Sequence, residues 1–331
     1  MTRARELANL AGVSETALSN RNLVLNGGMA ISQRGSSVSV GSGTYTLDRW
    51  RTDRDGTVTA TVSQQSFTLG QTDVPNEPEH YLRFDITAAS GSSYVNLAQF
   101  IEGVRNGAGQ AVTLSFWAKA SSAQTIGLRA IQDFGSSGSS DVSQTISSIS
   151  ATTSWQQFTR TFTLASISGK SIGGGNDSLR ILWDLPVNTV MQLDLTQVQL
   201  EIGEQATPFE LRSFGDELAR CQRYYYQIKS PDTYTRYAMS TYDTSTDYSA
   251  LVHFPIEMRS TPTLSTTGTA SNYSIYALNS NKTSNSVPSL GAGSPFNALL
   301  TGATSSSTAG AAGVLLDNNT VGAFLGFSAE L

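Results

Sequence analysis

The chain has 331 residues, a length that suits two domains with a small terminal element. Hydrophobic residues make up 39% and charged residues only 14%, and Ser, Thr, Gly, Asn and Gln fill the difference, which favours polar-faced β-sheets with many turns over helical bundles. A net charge of −5, from 21 Lys and Arg against 26 Asp and Glu with no long basic block, disfavours nucleic-acid binding, and 9% aromatic content excludes a disordered chain.

The single cysteine, Cys221, rules out an intramolecular disulfide, so burial alone must hold the fold, and its thiol reads as a small buried apolar group. Two histidines, His80 and His253, cannot supply a multi-histidine zinc site. No apolar run approaches the roughly 18 residues of a membrane span, so no membrane insertion is expected. The N-terminus lacks the continuous apolar core of a signal peptide, and synthesis in a cytoplasm is expected.

Residues 1–20 predict a short amphipathic helix. Leu7 and Leu10 line one face, with Arg3 and Arg5 outside it. A helix this short is marginal alone and reads as an anchor that docks on a partner protein. From 21 to 212 the pattern is β. Thr57-Val-Thr-Ala-Thr-Val-Ser alternates at period two, as does Tyr81-Leu-Arg-Phe-Asp-Ile. In Ala111-Val-Thr-Leu-Ser-Phe-Trp-Ala-Lys-Ala, Val112, Leu114 and Phe116 share a face and Trp117 points the other way. Strands follow at Trp155-Gln-Gln-Phe-Thr-Arg-Thr-Phe-Thr-Leu, Leu179-Arg-Ile-Leu-Trp-Asp-Leu and Met191-Gln-Leu-Asp-Leu-Thr-Gln-Val-Gln-Leu-Glu. In the last, the apolar step from Leu195 to Val198 breaks alternation and predicts a bulge. Many short strands punctuated by turns indicate a sandwich.

Residues 213–229 predict a short linker helix, with Ser213 or Asp216 as N-cap and Asp216 and Glu217 in the first turn. Leu218, Cys221 and Tyr225 recur at helical spacing and are the candidate oligomer contacts. The tyrosine triplet at its end suits a strand. Residues 230–331 predict a second β-sandwich, with strands at Tyr237-Ala-Met-Ser-Thr-Tyr, at Tyr248-Ser-Ala-Leu-Val-His-Phe and near the C-terminus. Its sparse large apolar side chains predict a thin core, which oligomerisation about a symmetry axis would thicken.

The opening Asn22-Leu-Val-Leu-Asn-Gly-Gly-Met, the central Val112-Thr-Leu-Ser-Phe-Trp-Ala-Lys, the Trp155 strand and the closing Leu193-Asp-Leu-Thr-Gln-Val-Gln-Leu-Glu resemble carbohydrate-binding-module jelly rolls. The tail Gln199-Leu-Glu-Ile-Gly-Glu-Gln-Ala-Thr-Pro-Phe-Glu, the following Glu217-Leu-Ala-Arg-Cys-Gln-Arg-Tyr-Tyr, and Met258-Arg-Ser-Thr-Pro-Thr-Leu further on, are similar to segments of bacteriophage tail fibres and virion appendages. The resemblance implies a jelly-roll sandwich in a structural or adhesive virion protein, a tail or head fibre. Such a protein would attach through its N-terminus to other virion proteins, form a homotrimer and contact host surface glycan. A capsid decoration protein and a glycan-degrading enzyme are the alternatives. The resemblance also raises a structural calcium, with Asp194 and Asn26 as oxygen donors, although calcium wants six or more oxygens.

No phosphate loop, nucleophile elbow or spaced His/Asp pair accompanies a candidate nucleophile, so no enzyme is expected. Asp53, Asp55, Asp232, Asp243 and Asp247 read as turn carboxylates. Trp117, Trp155 and Trp183 read as core, and Trp50, beside Asp48, Arg49 and Arg51, is ambiguous. Tyr273 and Tyr276 are the candidate receptor contacts in a tyrosine-rich C-terminal half.

Overall fold

The structure is a computed structural model and describes residues 20–331. The expected N-terminal helix, with Arg3, Arg5, Leu7 and Leu10, lies outside the described residues. The chain forms two compact units: one runs to Glu217 and takes in Leu331, and the other spans Leu218–Glu330. Both are mainly β.

The first unit carries β1 (Ser37–Ser39), β2 (Thr44–Tyr45), β3 (Trp50–Arg54), β4 (Thr57–Ser66), β5 (His80–Ser90), β6 (Val95–Glu102), β7 (Ala111–Ala120), β8 (Gln124–Asp133), β9 (Val142–Ala151), β10 (Gln156–Thr163), β11 (Ser178–Asp184) and β12 (Met191–Ile202). They build two six-stranded sheets, β1-β4-β5-β12-β7-β10 and β2-β3-β6-β11-β8-β9, in which every paired strand is antiparallel. The chain crosses between sheets at every step from β1 to β12 except β2–β3, β4–β5 and β8–β9, the alternation of a jelly-roll sandwich.

Alternation decides which side chains meet between the sheets. Val58, Ala60 and Val62 of β4, Leu82, Phe84 and Ile86 of β5, and Val112, Leu114 and Phe116 of β7 are all buried in one core. Burying each of these Val, Leu, Ile and Phe side chains contributes ~1.5–3 kcal/mol. At the centre, the Trp183 ring lies 5.5 Å from both Trp50 and Phe116. The predicted bulge falls in β12, whose pairing with β7 shifts between Thr196 and Gln199, and Gln197 takes a left-handed φ of 48° there.

The opening segment closes along this bulged strand. Leu23 donates its amide to the Leu200 carbonyl (2.9 Å), and Val198 donates to Gly27 (3.0 Å). The Asn22 amide group donates to Val198 O (3.0 Å) while its oxygen accepts from Leu200 N (3.1 Å). Gly27 is required here, because a Cβ would strike the Val198 carbonyl. Glu210 accepts the Asn22 amide (2.8 Å), and Arg212 bridges Glu210 (3.5 Å) and Glu217 (3.4 Å) while donating to the carbonyls of Asn22 and Val24.

A helix, α1 (Phe214–Gln222), follows, capped by Ser213, whose hydroxyl accepts the Asp216 amide (3.2 Å). It is shorter than predicted. Tyr224 donates back to Cys221 O (2.9 Å), a tight turn that ends the helix, and the tyrosines continue as a strand. Tyr225 therefore does not extend the Leu218–Cys221 stripe.

The second unit holds β13 (Tyr225–Lys229), β14 (Arg236–Tyr242), β15 (Asp247–His253), β16 (Thr263–Thr266), a 3-10 turn (Ala270–Asn272), β17 (Tyr273–Ala277), β18 (Ser280–Thr283), β19 (Ser289–Gly293), β20 (Asn297–Ala303), β21 (Ala312–Asp317) and β22 (Phe324–Ser328). They form a three-stranded sheet, β13-β22-β16, and a seven-stranded sheet, β18-β17-β21-β14-β15-β20-β19. The two share one core. The shortage of large aliphatic groups is met by tyrosine: Tyr237, Tyr242, Tyr248 and Tyr273 are all buried in that core. Gly302 stands opposite Tyr248 and leaves room for its ring, since a Cβ would collide with the phenol. Each of these phenols has a partner, as buried tyrosine requires: Ser230 for Tyr237 (2.6 Å), Thr304 for Tyr242 (3.0 Å), Ser284 for Tyr248 (3.4 Å), and the Phe324 carbonyl for Tyr273 (2.6 Å). Among the described residues, no helix is long and apolar enough to cross a membrane.

Candidate functional site

The outward face of the β1–β10 sheet gathers a cluster of rings and charges. On β5, the residues between the buried Leu82, Phe84 and Ile86 are Tyr81, Arg83 and Asp85, and period two turns them outward. Register then sets one row, Ser63–Arg83–Asp194–Lys119, across β4, β5, β12 and β7. Arg83 grips Asp194 with two bonds of 2.7 and 2.8 Å, and Lys119 Nζ lies 3.7 Å from the same carboxylate. The Asp194 hydrogen bond is the main cause holding the Arg83 guanidinium well above its ordinary value. The Asp194 side chain is only 4% exposed, so one carboxylate is neutralised by two cations at the centre of the face.

Beside this row stand three half-buried rings. Phe67 follows β4, Tyr81 is the second residue of β5, and Trp155 precedes β10. Their centroids are 4.9 Å (Phe67–Tyr81), 5.4 Å (Phe67–Trp155) and 5.5 Å (Tyr81–Trp155) apart, all at tilted or edge-on angles that favour ring pairs. Lys119 Nζ lies 5.1 Å from the Trp155 centroid and 6.0 Å from that of Tyr81. Burial first, and then the Asp194 charge, pushes the Tyr81 phenol above its ordinary pKa. Trp117 is half-buried on the same outward face, paired in register with Gln157.

Against Phe67 lies a cleft of about 320 Å³ lined by Ser66, Leu69, Glu77, Glu79 and His80. Leu69 is 94% exposed at its rim. The same 77–80 segment borders a second cleft of about 300 Å³, lined also by Gln197, Phe209, Arg212 and Phe214. The site thus offers ring faces and edges beside carboxylates, an imidazole, amides and a lysine. That set suits a ligand that is apolar on one face and rich in hydroxyls at its edges.

The structure redistributes the predicted site residues. Trp183 and Trp50 are fully buried, whereas Trp117 and Trp155, expected in the core, are half-exposed on the outer face. Tyr273 is fully buried with its hydroxyl bonded to Phe324 O, so the receptor role considered for it does not fit this fold; Tyr276 is 41% exposed on β17. Cys221 and Tyr225 are buried within the chain and Leu218 is half-buried, which corrects the idea of this trio as an open oligomer face. The proposed calcium donors are used otherwise: Asp194 by Arg83 and Lys119, and Asn26 by the backbone of Ile31 and Asp48. Among the described residues, no group of three or more His, Cys, Asp or Glu is placed to hold a metal ion. Sequence reading missed Phe67, Tyr81, Arg83 and Lys119 as a cluster. The alternation along β5 and β7 pointed each side chain outward; their convergence depends on the strand order, which alternation does not reveal.

No protein-family model matches the chain, and no curated protein matches it. Its structural neighbours include carbohydrate-binding modules and a phage tailspike domain. The enzymatically active domain of tailspike protein 4 from bacteriophage CBA120 is 16% identical with a TM-score of 0.36, the match covering 55% of this chain and 22% of that one. The CBM22-2 xylan-binding domain of Paenibacillus barcinonensis Xyn10C is 16% identical with a TM-score of 0.34, over 49% of this chain and 94% of that one. The N-terminal cellulose-binding domain of a Cellulomonas fimi β-1,4-glucanase is 19% identical with a TM-score of 0.32, over 54% of this chain and 95% of that one.

Proposed function

We infer that the protein is a bacteriophage virion appendage, a tail or head fibre, whose first sandwich binds glycan on its outward aromatic face. The observation that carries the binding part is the Phe67–Tyr81–Trp155 cluster with Lys119 and the adjoining cleft. A pyranose lays its C–H face on such rings and turns its hydroxyls toward Lys119, Gln157, Glu77 and Glu79. The virion part rests on the sequence similarity of residues 199–210, 217–225 and 258–264 to fibre segments. In this reading residues 1–20 attach the protein to other virion proteins, and the chain works as a homotrimer on the particle.

The role is binding rather than hydrolysis. Glycoside cleavage needs one carboxyl as an acid and a second as a base or nucleophile. Asp194, at the centre of the face, is locked between Arg83 and Lys119 and serves neither role, and Glu77 and Glu79 of the cleft act as hydrogen-bond partners of the sugar.

Titration of host-surface polysaccharide into the full chain tests the reading. Trp155→Ala is expected to weaken binding about five- to thirty-fold, the loss of one stacking ring being worth ~1–2 kcal/mol, with the melting profile nearly unchanged. Equal binding by Trp155→Ala, or no polysaccharide bound by the natural chain, overturns it. Antibody labelling of intact particles tests the virion assignment, and unlabelled particles sink it.

A further inference from the structure

The seven-stranded sheet of the second unit carries an apolar stripe across its outward face. Tyr276, Val314, Met239, Leu251, Leu299 and Ala292 stand directly opposite one another in register, on β17, β21, β14, β15, β20 and β19 in turn. Asn281 of β18 ends the row beside Tyr276. Met239 is 69% exposed, and Tyr276 and Leu251 are each 41% exposed. On one side runs a parallel neutral row, Ala312–Thr241–Ser249–Thr301–Ser289. Charge begins at the rim, with Asp247 beyond one side of these rows on β15, and His253 of β15 and the exposed Arg236 of β14 beyond the other.

We propose that this face is a self-association surface, occupied by the same face of a second copy of this chain. A face that meets the same face of a second copy pairs two chains about a two-fold axis, so this contact goes beyond the three-fold homotrimer of the reading above and is independent of its glycan part. An apolar centre with a polar rim is the anatomy of a protein–protein interface. Across seven strands about 4.8 Å apart the two rows, about 6.8 Å apart, tile roughly 460 Å² as an uncharged centre, and the charged rim rows beyond them extend the face toward the ~800 Å² each partner gives to a stable interface. Eleven successive positions in the two rows carry no ionisable acid or base below the tyrosine range, so two copies meet without like charges. A charged partner would bury unpaired charge against this face. A glycan would leave its hydroxyls unbonded against Met239, Leu251 and Val314. A second copy incurs neither cost.

Light scattering on the full chain, with each variant followed by far-ultraviolet circular dichroism, tests this. The natural chain is expected at a multiple of its 35.2 kDa mass. Met239→Lys combined with Leu251→Lys is expected to dissociate it, raising the dissociation constant at least about hundred-fold by placing like charges face to face, while the β spectrum and polysaccharide binding per chain persist. Met239→Ser with Leu251→Thr, which adds no charge, is expected to shift the equilibrium the same way by a smaller factor, and it serves if the lysine variant misfolds. An assembly untouched by either pair overturns the surface and leaves the homotrimer reading standing. A natural chain that stays monomeric at all concentrations overturns both and assigns the stripe to another kind of partner.

Discussion

Asp317 shows how much one side chain can organise. It is fully buried in the second unit and accepts from Tyr234 N (2.8 Å), Thr320 N (3.0 Å), Ser230 Oγ (3.0 Å) and Thr235 N. It thus ties the turn before β14 to the end of β21. Removing the carboxylate takes the acceptor from four donors, one of them the buried Ser230 hydroxyl and three partly buried amides, so Asp317→Ala should destabilise the second unit by about 2–3 kcal/mol. Asp317→Asn, which keeps one acceptor oxygen, should cost less. Urea unfolding followed by near-ultraviolet tyrosine dichroism checks this, and equal midpoints for Asp317→Ala and the natural chain would contradict it. At this scale the sequence was legible only in part. Alternation turned Trp117 away from the core face correctly, yet tryptophan's usual burial argued for the interior. Sequence distance hides that Phe67, Tyr81 and Trp155 converge, because β5 and β10 are brought to one sheet only through β12 and β7. Tyr273 and Tyr276 look alike in sequence. Their position on β17 differs by an odd number, which puts one in the core and the other outside.

Among the elements, the closing segment after β12 is the most exposed to test. Glu210, Arg212 and Glu217 hold the Asn22–Asn26 backbone against the bulged strand. Burial pushes the Glu210 carboxyl up, but the Asn22 and Asn20 amides, with Arg212 and Arg21, outweigh it and hold it below its ordinary range. A depressed carboxyl contributes stability above its unfolded pKa of ~4.3 that is lost as pH falls through the folded value. Acid should therefore loosen this segment, seen as faster amide exchange at residues 22–27 relative to β7. Gly27→Ala, which forces a Cβ onto Val198 O, should lower the first unit's stability by about 2 kcal/mol in tryptophan-detected unfolding without needing acid. If the exchange at 22–27 and at β7 moves together with pH, the segment is not a separate clasp. Long alternating strands and the bulge at Gln197 were readable because period two and its break are local. The five strands β16–β20 were not: β16, β18 and β19 are short Ser-, Thr- and Gly-rich runs, and the period-two pairs Tyr273/Ile275 of β17 and Ala298/Leu300 of β20 are too brief to stand out, so their pairing comes from the sheet around them. The helix end was misjudged by about two turns because Tyr225 fits helical spacing, while the tyrosine triplet and the pairing of Tyr225 with Ser328 favour a strand.

At the scale of the molecule, the two units divide the aromatic residues unequally, and that separates them experimentally. All four tryptophans, Trp50, Trp117, Trp155 and Trp183, lie in the first unit, and nine of the twelve tyrosines lie in the second. Tryptophan emission therefore follows one core, and tyrosine dichroism chiefly the other. Burial pushes up the phenols of Tyr226, Tyr237, Tyr248 and Tyr273 in the second unit, Tyr248 to about 12, against Tyr81 alone in the first. A raised phenol means that the fold favours the neutral form. Its stability is complete below the unfolded pKa of ~10 and is lost as pH climbs through the folded value. For the fully buried Tyr248, the step from ~10 to about 12 corresponds to a contribution on the order of 2 kcal/mol. Between about pH 10 and 12 the tyrosine dichroism of the second unit should thus collapse while tryptophan emission still reports a folded first core. Phenolate absorbance should rise in two stages, the later coinciding with that collapse. A single transition in which both probes move together at every pH would show that the two cores unfold as one, and that the tyrosines of the second unit do not set its alkaline limit.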